Sequence, residues 1–156
     1  MRETSMNESK LTHLEQMTIQ MEYVVPLIRD LQQVLGEGVV NEALAERARR
    51  QLDRARASPA PHADLAQLGR QLTDYYAAGD ALDYEILAAE PDRFDVNVRR
   101  CAYTELMDRL GARDIGHLLI CSQDFANAAG LGMELTRTQT CMQGAELCDF
   151  RFRKRD

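Results

Sequence analysis

The sequence predicts an α+β fold, in which N-terminal helices are followed by an antiparallel sheet of about four strands with helices packed on one face. Apolar residues recur every three or four positions up to about residue 78, which is the period of an amphipathic helix. From Leu82 the period changes to two, and a second alternating stretch lies near the end of the chain. The 156 residues fit one domain, with residues 11–78 as its helical part and residues 82–153 as its α+β part.

Three helices are predicted in the first half of the chain. Residues 1–10 are polar and are expected to be disordered. The first helix begins at Leu11, and Pro26 is expected to kink it or to divide it in two because proline removes a helical hydrogen bond. Gly36 and Gly38 then separate it from the next helix. The second and third helices are predicted over Asn41–Ala57 and Asp64–Ala78.

The second predicted helix is rich in arginine, and its arginines alternate with Glu42, Glu46 and Asp53. A basic docking surface is one interpretation of this pattern. A solvent-exposed face with charge pairs four residues apart is the simpler one. A helical interaction module built on residues 11–57, with the cysteines merely part of the core, is a further alternative for the protein as a whole.

Two antiparallel strands joined by a short turn are predicted where the period is two. The first contains Leu82–Ile86 and the second contains Phe94–Val98. A helix is expected to follow Cys101 and to end at Gly111, and another is predicted over Ile115–Ala129.

The C-terminal part of the chain predicts two more strands. The first, Glu134–Met142, is rich in threonine and is expected to place three of them on one face: Thr136, Thr138 and Thr140. The last strand follows a turn at residues 143–146 and is expected to point three side chains to one side: Cys148, Phe150 and Phe152.

Composition limits the classes of function. A net charge of −6 and a pI near 5.1 argue against a nucleic-acid-binding protein, whose surface would be basic. The sequence contains no apolar run of the roughly 18–20 residues that cross a bilayer, and no apolar secretory region at its start. We therefore expect a cytoplasmic protein with reduced thiols, no membrane partner and a small-molecule substrate, and a homo-oligomer is compatible with this.

The candidate site contains all four cysteines of the chain. Cys101 lies at a predicted strand-to-helix junction, where unpaired backbone N–H groups favour the thiolate and lower the thiol pKa. Cys121 and Asp124 are three residues apart, so on a helix they share a face as a nucleophile–base pair or as half of a metal site. Each cysteine can instead be a small buried apolar residue, and this is the simplest interpretation of Cys148.

Five segments together resemble a known family, and they occur in this order: Phe94-Asp-Val-Asn-Val-Arg-Arg-Cys101-Ala-Tyr103, Leu110-Gly111, Leu119-Ile-Cys121-Ser-Gln-Asp124-Phe, Leu135-Thr-Arg137-Thr-Gln-Thr140 and Gly144-Ala-Glu-Leu-Cys148-Asp149-Phe150-Arg-Phe152. As an ordered set over residues 82–153, they resemble the L-2-amino-thiazoline-4-carboxylate hydrolase family. The family's named member opens a thiazoline ring at its carbon–nitrogen double bond. The resemblance therefore implies a hydrolase that opens a small cyclic amidine or imine.

Within that resemblance, four residues are candidates for the chemistry. A Cys101 thiolate would attack the sp² carbon of the ring, and water would then resolve the covalent adduct. Asp124 would shuttle protons, or would orient a water molecule if the attack is not covalent. Cys121 and Cys148 would line the pocket, and either is an alternative nucleophile.

Substrate binding and a metal alternative concern the same region. Arg137 would hold a substrate carboxylate in bidentate fashion, with Thr138 and Gly144 as further substrate-binding residues.

If four groups instead converge, they form a zinc site that activates water: Cys101, Cys121, Asp124 and Cys148. The C-terminal hairpin also resembles the small-ligand-binding domains of the vinyl-reductase type, which place a zinc there, although Thr138 stands where an acidic ligand is expected. The alternative function is a non-catalytic sensor of a small or zinc-dependent ligand that acts through a partner.

Overall fold

The computed structural model describes residues 10–61 and 64–155. These ranges contain six α-helices: α1 (His13–Leu35), α2 (Glu37–Ala57), α3 (Leu65–Ala77), α4 (Ala102–Arg109), α5 (Arg113–Gly116) and α6 (Gln123–Gly130). The same ranges contain four β-strands: β1 (Leu82–Glu90), β2 (Arg93–Cys101), β3 (Met133–Thr136) and β4 (Cys148–Lys154). The α+β prediction is confirmed. The disorder predicted for residues 1–10 falls, apart from Lys10, outside the described residues.

Helix α1 begins with a capping box, in which the side chains of Thr12 and Glu15 each accept a hydrogen bond from the other's backbone N–H. Of the kink and the division expected at Pro26, the division does not occur, because α1 is continuous from His13 to Leu35. Burial of an apolar side chain stabilises by about 1.5–3 kcal/mol, so packing on both sides of the proline compensates for one lost hydrogen bond. The buried side chains of α1 are Met21, Val25 and Ile28.

Helix α2 begins at Glu37 rather than at Asn41, because Gly36 alone makes the turn with a φ of 92°. Helix α3 is close to its prediction, and the Asp64 side chain caps it by accepting from the backbone N–H of Gln67.

Two arginines of α2, Arg49 and Arg50, pair with acidic side chains of the same helix, whereas Arg56 pairs with Glu134 of β3. Arg49 forms ion pairs with Glu42 at 2.7 Å and with Glu46 at 2.8 Å, and all three side chains are exposed. These pairs fit the interpretation of this helix as a solvent-exposed face.

The sheet has the strand order β1-β2-β4-β3, and every neighbouring pair is antiparallel. In the central pair, Val96 lies opposite Phe150 and Val98 lies opposite Cys148. The predicted hairpin of β1 and β2 and the predicted alternation in β4 are both confirmed.

The strand predicted over Glu134–Met142 is shorter in the structure, where β3 ends at Thr136. The Asp149 carboxylate accepts hydrogen bonds from the backbone N–H groups of Thr138 and Gln139, at 2.9 Å each. These two groups are therefore not available to a strand ladder, and the chain leaves the sheet.

Two irregular helical turns flank the site. The helix predicted over Ile115–Ala129 consists of α5, a π-helical turn at His117–Cys121 and α6, and the Ser122 N–H donates to the His117 carbonyl five residues before it. A 3₁₀ turn at Cys141–Gln143 follows β3, and its N-terminus is capped by the Thr140 hydroxyl. Both turns replace predicted regular structure. The π-helical turn lines the first cavity described below through Ile120 and Cys121, whereas the 3₁₀ turn lines the second one through Gln143.

The two faces of the sheet differ in chemistry. One face packs under the helices in an apolar core that includes Leu65, Phe94 and Met133, all fully buried. On β2, Asp95 lies between the core residues Phe94 and Val96, so its side chain points to the opposite face of the sheet. Asp95 is only 2% exposed, because Arg93 and Arg153 form ion pairs with it. Helices therefore pack on one face, as predicted.

Within the described ranges, no helix combines the length and the apolar character that crossing a bilayer requires.

The contact between α3 and β2 gives a prediction for stability. A Cβ atom built on Gly69 would lie 2.3–2.6 Å from ring carbons of the fully buried Phe94. We expect Gly69→Ala to lower the free energy of unfolding by about 1–3 kcal/mol, the usual range for overpacking. Gly38→Ala is the matched control, because a Cβ atom built on Gly38 in α2 would meet no neighbouring atom within 4 Å. Chemical denaturation should show Gly38→Ala at least as stable as the wild type, and equal stability of both variants would contradict the prediction.

Candidate functional site

A cavity of about 310 Å³ lies between the sheet and the helices. Most of its lining is apolar, with contributions from Leu72, Val96, Val98, Ile120, Phe150 and Phe152. Five of the seven residues predicted from the sequence for catalysis or substrate binding line this cavity: Cys101, Cys121, Asp124, Arg137 and Cys148. The fold therefore brings together residues that are separated by up to 47 positions in the chain, between Cys101 and Cys148.

The charged groups of the cavity form one ion pair, in which the arginine is buried and the Asp124 side chain is 26% exposed. Arg137 Nη1 donates to Asp124 Oδ2 at 2.6 Å, and Arg137 Nη2 donates to the carbonyl oxygen of Cys121 at 3.0 Å. The guanidinium carbon lies 4.9 Å from the ring centre of Phe125 and 5.1 Å from that of Phe150. The Arg137 side chain is only 5% exposed, so these contacts fix its position.

Asp124 is the candidate acid–base group of the cavity. Burial raises its pKa above the ordinary value of 3.8, and the nearby Arg137 guanidinium opposes this rise without cancelling it. The carboxylate is therefore a stronger base than an exposed aspartate. A half-buried carboxylate with a raised pKa, held in one orientation by an arginine, is suited to proton transfer.

Cys101 occupies the predicted junction, as the last residue of β2 and the N-cap of α4. Burial raises its pKa, although hydrogen bonds from the backbone of Thr104 and Tyr103 act in the opposite direction. The predicted lowering of the Cys101 pKa is therefore wrong, because loss of hydration outweighs the helix N-terminus. The thiol, and not the thiolate, is the form expected at neutral pH.

The other cysteines are also thiols in apolar surroundings. Burial raises the pKa of Cys121 strongly, and it raises the pKa of Cys148 to about 12. Cys148 Sγ accepts a hydrogen bond from the backbone N–H of Cys141 at 3.1 Å, and Cys141 itself is buried outside the lining of this cavity. None of the three cavity cysteines is thus activated as a nucleophile by its surroundings.

The four residues of the zinc alternative all line the cavity, but they do not converge. Among residues 10–61 and 64–155, no three His, Cys, Asp or Glu side chains are close enough to hold one metal ion. The predicted set of Cys101, Cys121, Asp124 and Cys148 therefore does not fit a zinc ion, because Asp124 turns to Arg137 and Cys148 to the Cys141 backbone.

The two remaining predicted residues lie away from the cavity. Thr138 lines a second cavity of about 330 Å³ on the α2 side, and Arg137 and Cys121 line both cavities. Gly144 ends the 3₁₀ turn with a φ of 96°, which favours glycine, and belongs to the described lining of neither cavity. Thr138 and Gly144 thus shape the loop near the site without contacting the first cavity.

Asp149 anchors that loop, and this gives a prediction for stability and its pH dependence. Burial acts to raise the pKa of Asp149, but hydrogen bonds from Thr138 and Gln139 lower it below 3.8 overall. We expect Asp149→Asn to cost about 1 kcal/mol of unfolding free energy. A depressed folded-state pKa means that this difference is fully present above pH 4 or so and is lost as the pH falls through the lower value.

Urea denaturation at several pH values measures this difference. Asp74→Asn, a change at an exposed position of α3, is the control for loss of one negative charge. A stability difference for Asp149→Asn that does not shrink at acidic pH would contradict the role of the charged carboxylate.

The structure also places residues in the cavity that the sequence did not indicate. His13 from α1, Tyr76 from α3 and Tyr103 from α4 form an aromatic cluster at one end of the cavity, and Asn127 from α6 lies beside it. Asn127 Nδ2 donates to the Tyr76 hydroxyl at 2.9 Å, and the Tyr103 hydroxyl donates to the Tyr76 carbonyl at 2.8 Å. The four residues come from four helices and share no sequence motif, so spacing alone did not reveal them.

Comparison with known proteins adds the family. No curated protein matches the sequence. The chain is similar to a solved structure, the crystal structure of the phenol-responsive sensory domain of the transcription activator PoxR with phenol, at 10% identity and a TM-score of 0.40. That match covers 93% of this chain and 76% of the other. The family model of L-2-amino-thiazoline-4-carboxylic acid hydrolase matches residues 16–152, which is most of the sequence. The chain therefore belongs to the L-2-amino-thiazoline-4-carboxylic acid hydrolase family.

Proposed function

We propose that the protein hydrolyses a carbon–nitrogen bond in a small cyclic amidine or imine of the thiazoline type, with Asp124 as the general base. The observation that carries the proposal is the half-buried Asp124 carboxylate, held at 2.6 Å by the buried Arg137 guanidinium on the wall of an apolar cavity. Membership of the family supports the reaction class. The cavity volume of about 310 Å³ lies at the lower end of the roughly 300–1,000 Å³ of small-molecule sites, which suits a single ring.

In the proposed reaction, a water molecule beside Asp124 attacks the sp² carbon of the ring. The water proton passes to Asp124 Oδ1, because Oδ2 is bonded to Arg137, and the π electrons of the carbon–nitrogen bond move to nitrogen. Asp124 gives the proton to that nitrogen, which leaves a tetrahedral adduct with a hydroxyl group. The carboxylate then removes the hydroxyl proton, the carbonyl forms, the carbon–nitrogen bond breaks and the departing amine receives that proton.

Water is the proposed nucleophile because the thiols are poor candidates. Burial raises the pKa of Cys101, Cys121 and Cys148, so each is protonated at neutral pH. A thiol is a weak nucleophile until it loses its proton. In contrast, the raised pKa of Asp124 brings its basicity closer to neutral pH, which favours transfer of a proton from water.

Arg137 is proposed as a positioning residue instead of the carboxylate-binding residue expected from the sequence. Both of its terminal nitrogens already donate, one to Asp124 and one to the Cys121 carbonyl. The side chain is also only 5% exposed, so little of its surface is left for a substrate carboxylate. The guanidinium thus orients Asp124 Oδ2 and leaves Oδ1 for the water.

The test uses the purified full chain with two rings in separate reactions, L-2-amino-thiazoline-4-carboxylate and 2-amino-thiazoline. Mass spectrometry should show a ring-opened product that has gained one water, with the label incorporated from isotopically labelled water. The protein itself should carry no covalent adduct when the reaction is quenched. Binding of both rings without opening of either would contradict the proposal and favour a non-catalytic ligand sensor. A trapped cysteine adduct would overturn water attack.

A further inference from the structure

We propose that two copies of this chain pair through an exposed apolar ridge of α1, with a two-fold axis beside Leu27. This outer ridge consists of five side chains: Ile19, Tyr23, Leu27, Leu31 and Leu35. None of them belongs to the described lining of either cavity, so the proposal is independent of the proposed reaction.

Helix α1 carries apolar side chains on two of its faces. One face packs into the core through Met21, Val25 and Ile28. The outer ridge lies on another face, where its five side chains are 38–75% exposed, and Val34 beside it is 81% exposed. A helix at the surface normally presents polar residues to water. An outer face of this composition therefore indicates a contact surface.

The size of this surface suits a dimer. At these exposed fractions the outer ridge and Val34 present on the order of 600 Å² of apolar surface, at the top of the range of about 300–600 Å² for the largest apolar patch of a monomer. A dimer interface of standard size buries about 800 Å² on each partner, and about 65% of a homodimer interface is apolar. Each partner therefore needs about 500 Å² of apolar surface, which the outer ridge and Val34 supply.

The spacing of the outer ridge suits a second copy as the occupant. The ridge is the same in both directions from Leu27, because its other members stand four and eight positions before and after that residue. Residues four apart form one of the rows by which helices pack, and two such rows interdigitate when the helices cross at about −50°. A two-fold axis beside Leu27 reverses the second helix, so Tyr23 contacts Leu31 of the second copy. Each copy thus offers the same self-complementary surface.

The charges along α1 are compatible with this pairing. The five ridge positions hold no charged residue, and the acidic residues in the stretch that the ridge spans are Glu22 and Asp30. Reversal of the second helix brings Glu22 level with Gln32 of the second copy. It brings Asp30 level with Val24. No two carboxylates of this stretch therefore stand opposite each other, although the chain is acidic as a whole.

The oligomeric state of the full chain tests the proposal. Sedimentation velocity over about 0.1–100 µM protein covers the weaker affinities found for interfaces of this size, and the wild type should be a dimer at the upper end. Leu27→Glu brings two carboxylates together in an apolar contact, so it should raise the dissociation constant of the dimer at least about 100-fold. Leu87→Glu is the matched control, because Leu87 in β1 is 49% exposed and Leu27 is 46% exposed. It should leave the dissociation constant unchanged within about twofold.

Cross-linking locates the axis without adding a charge. Leu27→Cys places two new thiols close together in the dimer, so a short bifunctional maleimide should join two chains of this variant. The same reagent should not join two chains of Leu87→Cys or of the wild type. Circular dichroism of each variant checks that it is folded.

Three results would overturn the proposal. These are a wild type that is monomeric at every concentration, a dimer that a folded Leu27→Glu variant leaves intact, and a dimer in which Leu27→Cys gives no cross-link. The first result would leave the outer ridge to a different protein, and the other two would place the dimer contact on another face of the chain. The first and third need no charged substitution, so they decide the matter even if Leu27→Glu unfolds the protein.

Discussion

Asp124→Asn is expected to lower the rate of ring opening by about 10²–10⁴-fold, the usual contribution of a general base. Asparagine has nearly the same shape and can still accept the hydrogen bond from Arg137, but its amide cannot take a proton from water. In the wild type, kcat/KM should fall as the pH drops through the pKa of Asp124, since only the ionised carboxylate is a base. That inflection should lie above 3.8, because burial raises the pKa. Steady-state kinetics over a pH range checks both points.

Two sets of variants make this result specific to Asp124. Asp53→Asn, at an exposed position of α2, is the control for the loss of one carboxylate and should retain wild-type kinetics. The serine variants of Cys101, Cys121 and Cys148 should each retain more activity than Asp124→Asn. A cysteine variant that is less active than Asp124→Asn would mean that a thiol is the nucleophile.

The part of the site that could be predicted from sequence depends on local signals. Cys101 was expected at a strand-to-helix junction because the apolar period changes there from two to a helical spacing, and the structure has it as the N-cap of α4. Cys148 and Phe150 were expected on one side of the last strand because every second residue shares a face, and both line the cavity. The period of the apolar residues and the position of the strand-to-helix junction therefore predict the element and the face on which each of these side chains lies.

The loss of hydration of a side chain, and its contacts with residues far away in the sequence, could not be predicted in the same way. The thiol pKa of Cys101 rises because apolar side chains from several elements bury it, which a position at a helix N-terminus does not reveal. The partner of Arg137 is also a matter of packing, since Asp124 lies in another element, 13 residues away. Likewise, β3 is short because Asp149 of the neighbouring strand binds the backbone beyond Thr136. These three features arise only when the elements are assembled.

Arg137→Gln is the second variant with a large expected effect, and it acts on both stability and pH dependence. Arg137 is 5% exposed and is the cation that lowers the pKa of Asp124 against the effect of burial. Its loss should raise the pKa of Asp124 further, so the acidic inflection of kcat/KM should move to higher pH. The free energy of unfolding should fall by about 1.5–3 kcal/mol where Asp124 is ionised, because the half-buried carboxylate then loses its charged hydrogen-bond partner.

The sign of the pH dependence distinguishes this mechanism from a simple loss of packing. A group whose folded-state pKa is raised binds its proton more readily in the folded protein, so protonation favours folding. The stability deficit of Arg137→Gln should therefore shrink as the pH falls through the raised pKa, whereas a packing defect would be constant with pH. Arg109→Gln, at an exposed position of α4, is the matched control and should show neither effect. If the deficit is independent of pH and the kinetic inflection does not move, Arg137 stabilises the fold without tuning Asp124, and the general base must be sought elsewhere in the cavity.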